Sequence, residues 1–247
     1  MNADAYLERI RYAGPLVPSA ETLRALHHTH MLTVPFENLD IHLGRPIVLE
    51  LPRLYDKIVN QRRGGFCYEL NGLFAWLLLE LGFRVEMLSA RVCNGGEPGP
   101  EFDHMALLVH LEERLLADVG FGDSFIEPLE LDDAGEQIQR GVAYRIERDG
   151  ETERMLERKP GQAWSVVYQF TLQPRQLSEY AEMCIWQQTA RESHFTQKRV
   201  CSLATPDGRV TLSDMKLIVT KNGERKERKL SDDDEYRSTL SQYFGIA

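Results

Sequence analysis

Apolar residues in the first third of the chain recur at three- and four-residue intervals, the period of a helix with one buried face. Within residues 4–12, Tyr6, Leu7 and Ile10 share a side, and Gly14-Pro15 ends the pattern. Ser19 offers an N-cap, with Glu21 and Thr22 in the first turn of a helix to residue 32 that places Leu23, Leu26, His30 and then Thr33 on one face. Pro35 stops it and turns residues 34–40 into an extended segment. Residues 51–61 predict a third helix with Leu51, Leu54, Tyr55 and Ile58 inward, and residues 67–81 a fourth, closed by Gly82. The first third therefore reads as a helical bundle.

After Gly82 the period changes to two. Residues 84–92 predict a strand and residues 94–103, rich in Gly, Pro and acids, an exposed loop; residues 104–111 and 114–119 form a hairpin across Glu112-Glu113. Shorter strands follow at 143–148 and 163–171, so the middle third reads as a small antiparallel barrel or curled sheet. From Pro174 periodicity fades until 199–202, 210–212, 216–220 and a helix over 232–244, whose start carries Asp232-Asp233-Asp234-Glu235, the sign a helix N-terminus favours. The basic stretch 221–229 surrounds Asn222-Gly223 and reads as a solvated hairpin tip, with polyanion binding as the alternative.

Composition narrows the class. With 247 residues, 43% hydrophobic and 27% charged, the chain is an ordinary globular protein of one large domain or two to three small ones. The most apolar run, 73–81, is broken by Glu80 and falls well short of the roughly 20 residues a membrane span needs. Asp4 stands where a signal peptide would carry base, so a cytoplasmic protein with no membrane partner is expected. A net charge of −9 argues against a nucleic-acid partner. His27, His28 and His30 have no carboxylate or cysteine at ligand spacing, and Cys67, Cys93, Cys184 and Cys201 form no C-x-x-C pair, so no metal is expected. The histidines read as solvated or core-edge, and Cys93, Cys184 and Cys201 as small hydrophobes or partly exposed thiols. Nothing in the sequence bears on oligomeric state.

Cys67 has a special setting. It follows Arg63-Gly64-Gly65-Phe66, where the glycine pair permits a tight turn and a close backbone approach, and it opens the fourth helix. Unpaired N–H groups and the helix dipole there favour a thiolate. A thiol nucleophile also needs a base and a group to orient that base. His104 opens one strand of the predicted hairpin, and Asp118 sits near the end of the other, just before Val119-Gly120-Phe121-Gly122. In the apolar run Leu115-Leu116-Ala117-Asp118-Val119 a carboxylate is costly without a partner, and an imidazolium supplies one.

Taken together, Val34-Pro35-Phe36-Glu37-Asn38-Leu39, Arg63-Gly64-Gly65-Phe66-Cys67-Tyr68-Glu69-Leu70-Asn71, Asp103-His104-Met105-Ala106-Leu107-Leu108-Val109 and Asp118-Val119-Gly120-Phe121-Gly122 resemble the motifs of the arylamine N-acetyltransferases, bacterial type. The resemblance continues through Arg199-Val200-Cys201 and residues 205–212, nearly the whole chain. It implies an α+β fold with a cysteine-proteinase-like core: a helical bundle (1–83) carrying the nucleophile, an antiparallel β-barrel (84–188) carrying His and Asp, and an α/β lid (189–247). It implies Cys67, His104 and Asp118 as catalytic triad, Phe36, Val92, Phe121 and Phe195 as acceptor pocket, and Arg63 and Glu37, with Gly64 and Gly65, as support of the site.

The implied reaction takes acetyl-CoA as donor, with no metal, and passes the acetyl group through Cys67 to an arylamine or hydrazine nitrogen, or an arylhydroxylamine oxygen. In it Asp118 orients His104 and favours its charged form, which lowers the cysteine pKa. Related thiol enzymes with the same three residues (amide synthase, acyl-CoA hydrolase, amidase) and a non-catalytic CoA- or xenobiotic-binding protein are the alternatives. The sequence departs from the family at Thr189-Ala190-Arg191-Glu192-Ser193-His194, before Phe195, and ends early at Phe244-Gly245-Ile246-Ala247, which predicts a more open cleft.

Overall fold

The structure is a computed structural model and describes residues 1–246. Its first part is helical. Helix α1 (Ala3–Arg9) is capped by the Asn2 side chain, and α2 (Ala20–Thr33) by Ser19, whose Oγ accepts from Thr22 N at 3.1 Å. A short strand β1 (Phe36–Glu37) and helix α3 (Leu39–His42) follow, then α4 (Leu51–Tyr55), which runs without a break into a π-helical turn at Asp56–Asn60. Helix α5 (Cys67–Glu80) is buried from Cys67 through Leu78, as its near-uniform apolarity requires. Tyr6, Leu23, Leu26 and Ile58 share one core with its Leu70 and Phe74.

The middle part is β2 (Arg84–Asn94), β3 (Glu97–Pro98), β4 (His104–His110), β5 (Arg114–Ala117), β6 (Leu129–Glu130), β7 (Gln137–Gln139), β8 (Val142–Asp149), β9 (Thr152–Arg158) and β10 (Ser165–Arg175). Paired in the order β6-β5-β4-β2-β10-β9-β8-β7, all antiparallel, with β3 beside β2, they curl into a nearly closed barrel. Side-chain amides bridge the seam between the two outermost strands. Gln137 accepts from Glu130 N and donates to Glu130 O, both at 2.8 Å, and Gln139 accepts from Ile126 N and Glu127 N at 3.0 Å while donating to Glu127 O at 2.8 Å. Each glutamine reproduces the donor and acceptor of a strand.

A 3₁₀ turn (Leu177–Tyr180), α6 (Ala181–Thr189) and α7 (His194–Gln197) lead into β11 (Val200–Thr205), β12 (Gly208–Ser213), β13 (Lys216–Lys221), β14 (Glu224–Lys229) and α8 (Asp233–Phe244). These strands form a second antiparallel sheet that β1 joins at its edge, Phe36 opposite Ser202. Tyr236, Leu240 and Phe244 of α8 share a core with Leu212 and Leu217 of that sheet. The fold is α+β: helical bundle, antiparallel barrel and α/β lid.

Several local expectations change. The first helix ends at Arg9, and the predicted third helix is α4 plus its π turn. His27 and His30 are wholly buried rather than solvated or at the core edge. Strand β9 and helix α6 lie where no periodicity was legible: β9 reads Thr-Glu-Arg-Met-Leu-Glu-Arg, and α6 buries only Cys184 and Gln187. The Asn222-Gly223 hairpin is as expected, both residues left-handed at φ 49° and 81°. None of the helices among the described residues is long and apolar enough to cross a membrane.

Candidate active site

Cys67 is the first residue of α5, and the extended Phe66 before it is the N-cap. Glu69 Oε2 accepts from Phe66 N at 3.1 Å, which fixes the peptide leading into the cysteine. Neither Gly64 nor Gly65 is left-handed. The pair serves close approach and not a tight turn: a Cβ on Gly64 would lie 1.9 Å from Pro35 O, and one on Gly65 would lie 2.7 Å from the Glu69 side chain. The loop is held against β1 by the Glu37 N–H, which donates to Gly65 O at 2.8 Å.

Beneath this loop lies a buried charge network. Arg63 donates to Glu37 Oε1 at 2.7 Å and to Asp40 Oδ1 at 3.0 Å; Lys57 Nζ stands 2.8 Å from Glu69 Oε1 and 2.9 Å from Asp40 Oδ2. Burial alone would push both cations toward the neutral form, yet the carboxylates outweigh it and raise their pKa. Arg63 and Glu37 lie in this network with Lys57, Asp40 and Glu69, and no spacing in the chain marks a contact among the last three.

His104 begins β4, and Asp118 follows the last residue of β5, so the β4–β5 pairing brings them together. His104 Nε2 is 2.7 Å from Asp118 Oδ2, with both side chains buried. That leaves Nδ1 as the ring nitrogen available to a thiol. Asp118 Oδ1 accepts from Asn71 Nδ2 at 2.8 Å and from Gly120 N at 2.9 Å. Burial would raise the Asp118 pKa, but His104, Asn71 and the Gly120 N–H overcome it and hold the carboxyl below its usual range. Asn71, one helical turn beyond Cys67, also donates to Met105 O at 2.6 Å and accepts from Val119 N at 2.9 Å, tying α5 to both strands. His27 supports the segment from behind: its Nε2 accepts from Asp118 N at 3.1 Å and its Nδ1–H donates to Ile126 O at 2.8 Å.

Cys67 and His104 open onto one pocket of about 270 Å³. Phe36, Val92, Phe121 and Phe195 all line it, with Phe36 and Phe195 ring to ring at 6.2 Å and Phe121 edge-on to His104 at 5.1 Å. Asn38 holds the Phe195 segment by donating to the carbonyls of Phe195 and Lys198 at 2.9 and 2.7 Å. The sequence did not point to the rest of the wall: Asn94, Asp103, Gly120, Gln187 and His194. Gln187 donates to Asp103 Oδ1 at 2.8 Å, and His194 occupies the stretch before Phe195 where the sequence departs from the family pattern.

The electrostatics differ from expectation in one respect. Burial first, then the charges of Asp118 and Asp103, push the Cys67 thiol well above its ordinary pKa; the Met105 N–H only partly offsets them. A helix terminus alone does not supply a thiolate here. Ionisation of the thiol is therefore disfavoured on its own, and the imidazole of His104, bonded to Asp118, faces the same pocket.

The N-acetyltransferase family profile matches residues 19–247. The arylamine N-acetyltransferase of Escherichia coli K12 is 36% identical over 98% of this chain and 87% of its own length. Among solved structures, the arylamine N-acetyltransferase from Salmonella typhimurium superposes with a TM-score of 0.93 at 34% identity, covering 99% of this chain and 90% of that one. That of Mycobacterium marinum in complex with CoA superposes at 0.91 with 32% identity, covering 99% and 93%.

Proposed function

The chain belongs to the arylamine N-acetyltransferase family and is an acetyltransferase, and from that premise we propose that Cys67, His104 and Asp118 carry its reaction by a ping-pong route. The supporting observation is the row of groups: a helix-terminal thiol and an imidazole on one pocket, the imidazole bonded at its other nitrogen to a buried, multiply hydrogen-bonded carboxylate.

In the first half-reaction acetyl-CoA enters the cleft; the M. marinum relative forms a complex with CoA. Cys67 gives its proton to His104 Nδ1, and the sulfur attacks the acetyl carbonyl carbon. Collapse of the tetrahedral intermediate breaks the bond to the CoA sulfur, which leaves with the proton held by His104. The product is S-acetyl-Cys67. In this scheme the developing oxyanion is met by backbone N–H groups at the start of α5.

In the second half-reaction an arylamine or hydrazine sits among Phe36, Val92, Phe121 and Phe195. Its nitrogen attacks the thioester and its proton passes to His104. The C–S bond breaks, and the Cys67 sulfur recovers the proton. An arylhydroxylamine oxygen would enter by the same path. Throughout, Asp118 keeps Nε2 as the protonated nitrogen so that Nδ1 accepts. Mass spectrometry tests the scheme: acetyl-CoA alone adds one acetyl group to Cys67 and releases one CoA, and Cys67→Ser shows neither the adduct nor turnover. Undiminished activity in that variant would sink it.

A further inference from the structure

The active-site pocket shares part of its barrel-side wall with a neighbouring cleft. Val92, Asn94 and Phe121 also border a second cleft of about 580 Å³, which continues over the rim of the barrel between β2 and the start of β10. Val92, Phe121, Trp164, Val166 and Val167 give it an apolar stretch, with Asn94, Ser165 and the charged Glu157 as its polar members. Strand β10 is irregular there. Val166 pairs with Leu156 and Tyr168 with Met155, so Val167 is an extra residue in the ladder, the kind of bulge that bends a strand and re-aims its side chains at a site. Gly95 and Gly96 form the opposite lip with left-handed φ of 62° and 92°, and a Cβ on either would meet nothing within 4 Å.

Trp164 is the fixed feature of the cleft. The guanidinium carbons of Arg145 and Arg158 lie 4.4 and 4.8 Å from its ring centroid, which restrains the indole at the rim. Size shows why such a surface matters. About 150 Å³ accommodates benzene. The pocket that holds Cys67, at about 270 Å³, is less than twice that, so an acceptor of several fused rings reaches its rim.

We infer that the Trp164 cleft is a distal-ring subsite for polycyclic arylamine acceptors, an inference that rests on the arylamine-acetylating reading above. Charge separates this occupant from the phosphates of the donor. Arg145, Arg158 and Lys159 already face Glu147, Glu136 and Glu157 respectively, so the cations beside Trp164 are paired. A flat, uncharged hydrocarbon fits that surface and a phosphate does not.

The test compares aniline with the three-ring amine 2-aminofluorene, both with acetyl-CoA, in the wild type, Trp164→Ala and Trp164→Phe. The subsite predicts that Trp164→Ala lowers kcat/KM for 2-aminofluorene by about ten-fold relative to aniline. Trp164→Phe should recover part of that loss. Acetylation of Cys67 and the KM for acetyl-CoA should stay unchanged. An equal fall for both amines, or a rise in the acetyl-CoA KM with the amine ratio intact, overturns the assignment, the latter giving the cleft to the donor. If the wild type forms no acetyl-Cys67, the reaction scheme has failed and not the cleft. Calorimetric binding of 2-aminofluorene to the wild type and Trp164→Ala then decides the cleft by itself: affinity must fall in the variant, and equal affinity rejects it.

Discussion

Lys57 Nζ lies 2.8 Å from Glu69 Oε1, and Glu69 in turn holds the peptide N–H of Phe66, the residue before Cys67. Three carboxylates, Glu37, Asp40 and Glu69, surround Lys57 and Arg63 in this buried space. Lys57→Met removes one of the two cations that balance them. Leaving buried carboxylate charge uncompensated should cost about 3–5 kcal/mol, read as a lower urea midpoint at pH 7. Lys57→Met combined with Glu69→Gln should recover a large part of the loss, because Gln still accepts from Phe66 N without carrying charge. A double variant no more stable than Lys57→Met would show that the charge balance is not what matters.

Asp118→Asn separates orientation from packing. An asparagine oxygen can still accept from Asn71 and Gly120, so the fold should stand. Its amide then faces His104 Nε2 with a donor, which forces that nitrogen to accept and leaves the proton on Nδ1, where the thiol needs a base. The rate of Cys67 acetylation should fall by about three to four orders of magnitude with an unchanged circular dichroism spectrum. An unchanged rate would remove Asp118 from the mechanism.

The buried His27 sets a pH dependence of stability. Burial lowers its pKa from 6.5 to about 4. Between those values the unfolded chain binds a proton at this site and the folded chain does not, so stability falls as pH falls through that window. His30, buried and shifted the same way, adds to the trend. For His27 the difference between pH 7 and pH 5 is about 2 kcal/mol. His27→Gln can still accept from Asp118 N and donate to Ile126 O but cannot titrate, so urea unfolding of that variant should lose less stability than the wild type on going to pH 5. An identical loss in both would refute the role.

The barrel seam makes a further prediction. Gln139 satisfies Ile126 N, Glu127 N and Glu127 O at once, and Ile126 O is the acceptor of His27. Gln139→Ala should destabilise the chain by about 1–3 kcal/mol and speed amide exchange at Ile126 and Glu127 while leaving β9 and β10 protected. Uniform exchange across the barrel would mean that the glutamine closes nothing.

How much of this was legible follows from the range of each interaction. The helices around Leu23, Ile58 and Phe74 and the β4–β5 hairpin rest on local period and turn chemistry, so the sequence carries them. His104 and Asp118 could be paired because one hairpin register joins them. Asn71 and Glu69 stood in the motif without a role, since what they bind (Met105, Val119, Lys57) lies on other elements. The Gln137 and Gln139 bridges leave no periodic trace, because a side-chain amide that imitates a strand obeys no strand pattern. The lid wall at Gln187 and His194 follows from the path of α6 and α7, and α6 buries too few apolar residues to declare itself.

Gly64 tests the close-approach reading against the turn reading. At φ values open to any residue, a glycine kept for flexibility would tolerate alanine, and replacement would even stabilise through the unfolded state. Here an alanine Cβ would sit 1.9 Å from Pro35 O and 2.9 Å from Pro35 C, backbone atoms held by the pairing of β1 with β11. Neither can retreat without dragging Phe36 from the pocket wall. Gly64→Ala should therefore cost more than about 3 kcal/mol and abolish Cys67 acetylation. Gly44 gives the control: its φ of 65° is left-handed, but a Cβ there meets nothing within 4 Å. Gly44→Ala should cost only about 1 kcal/mol and leave acetylation intact. If the two variants lose stability equally, backbone conformation and not the contact with β1 explains the glycine pair beside Cys67.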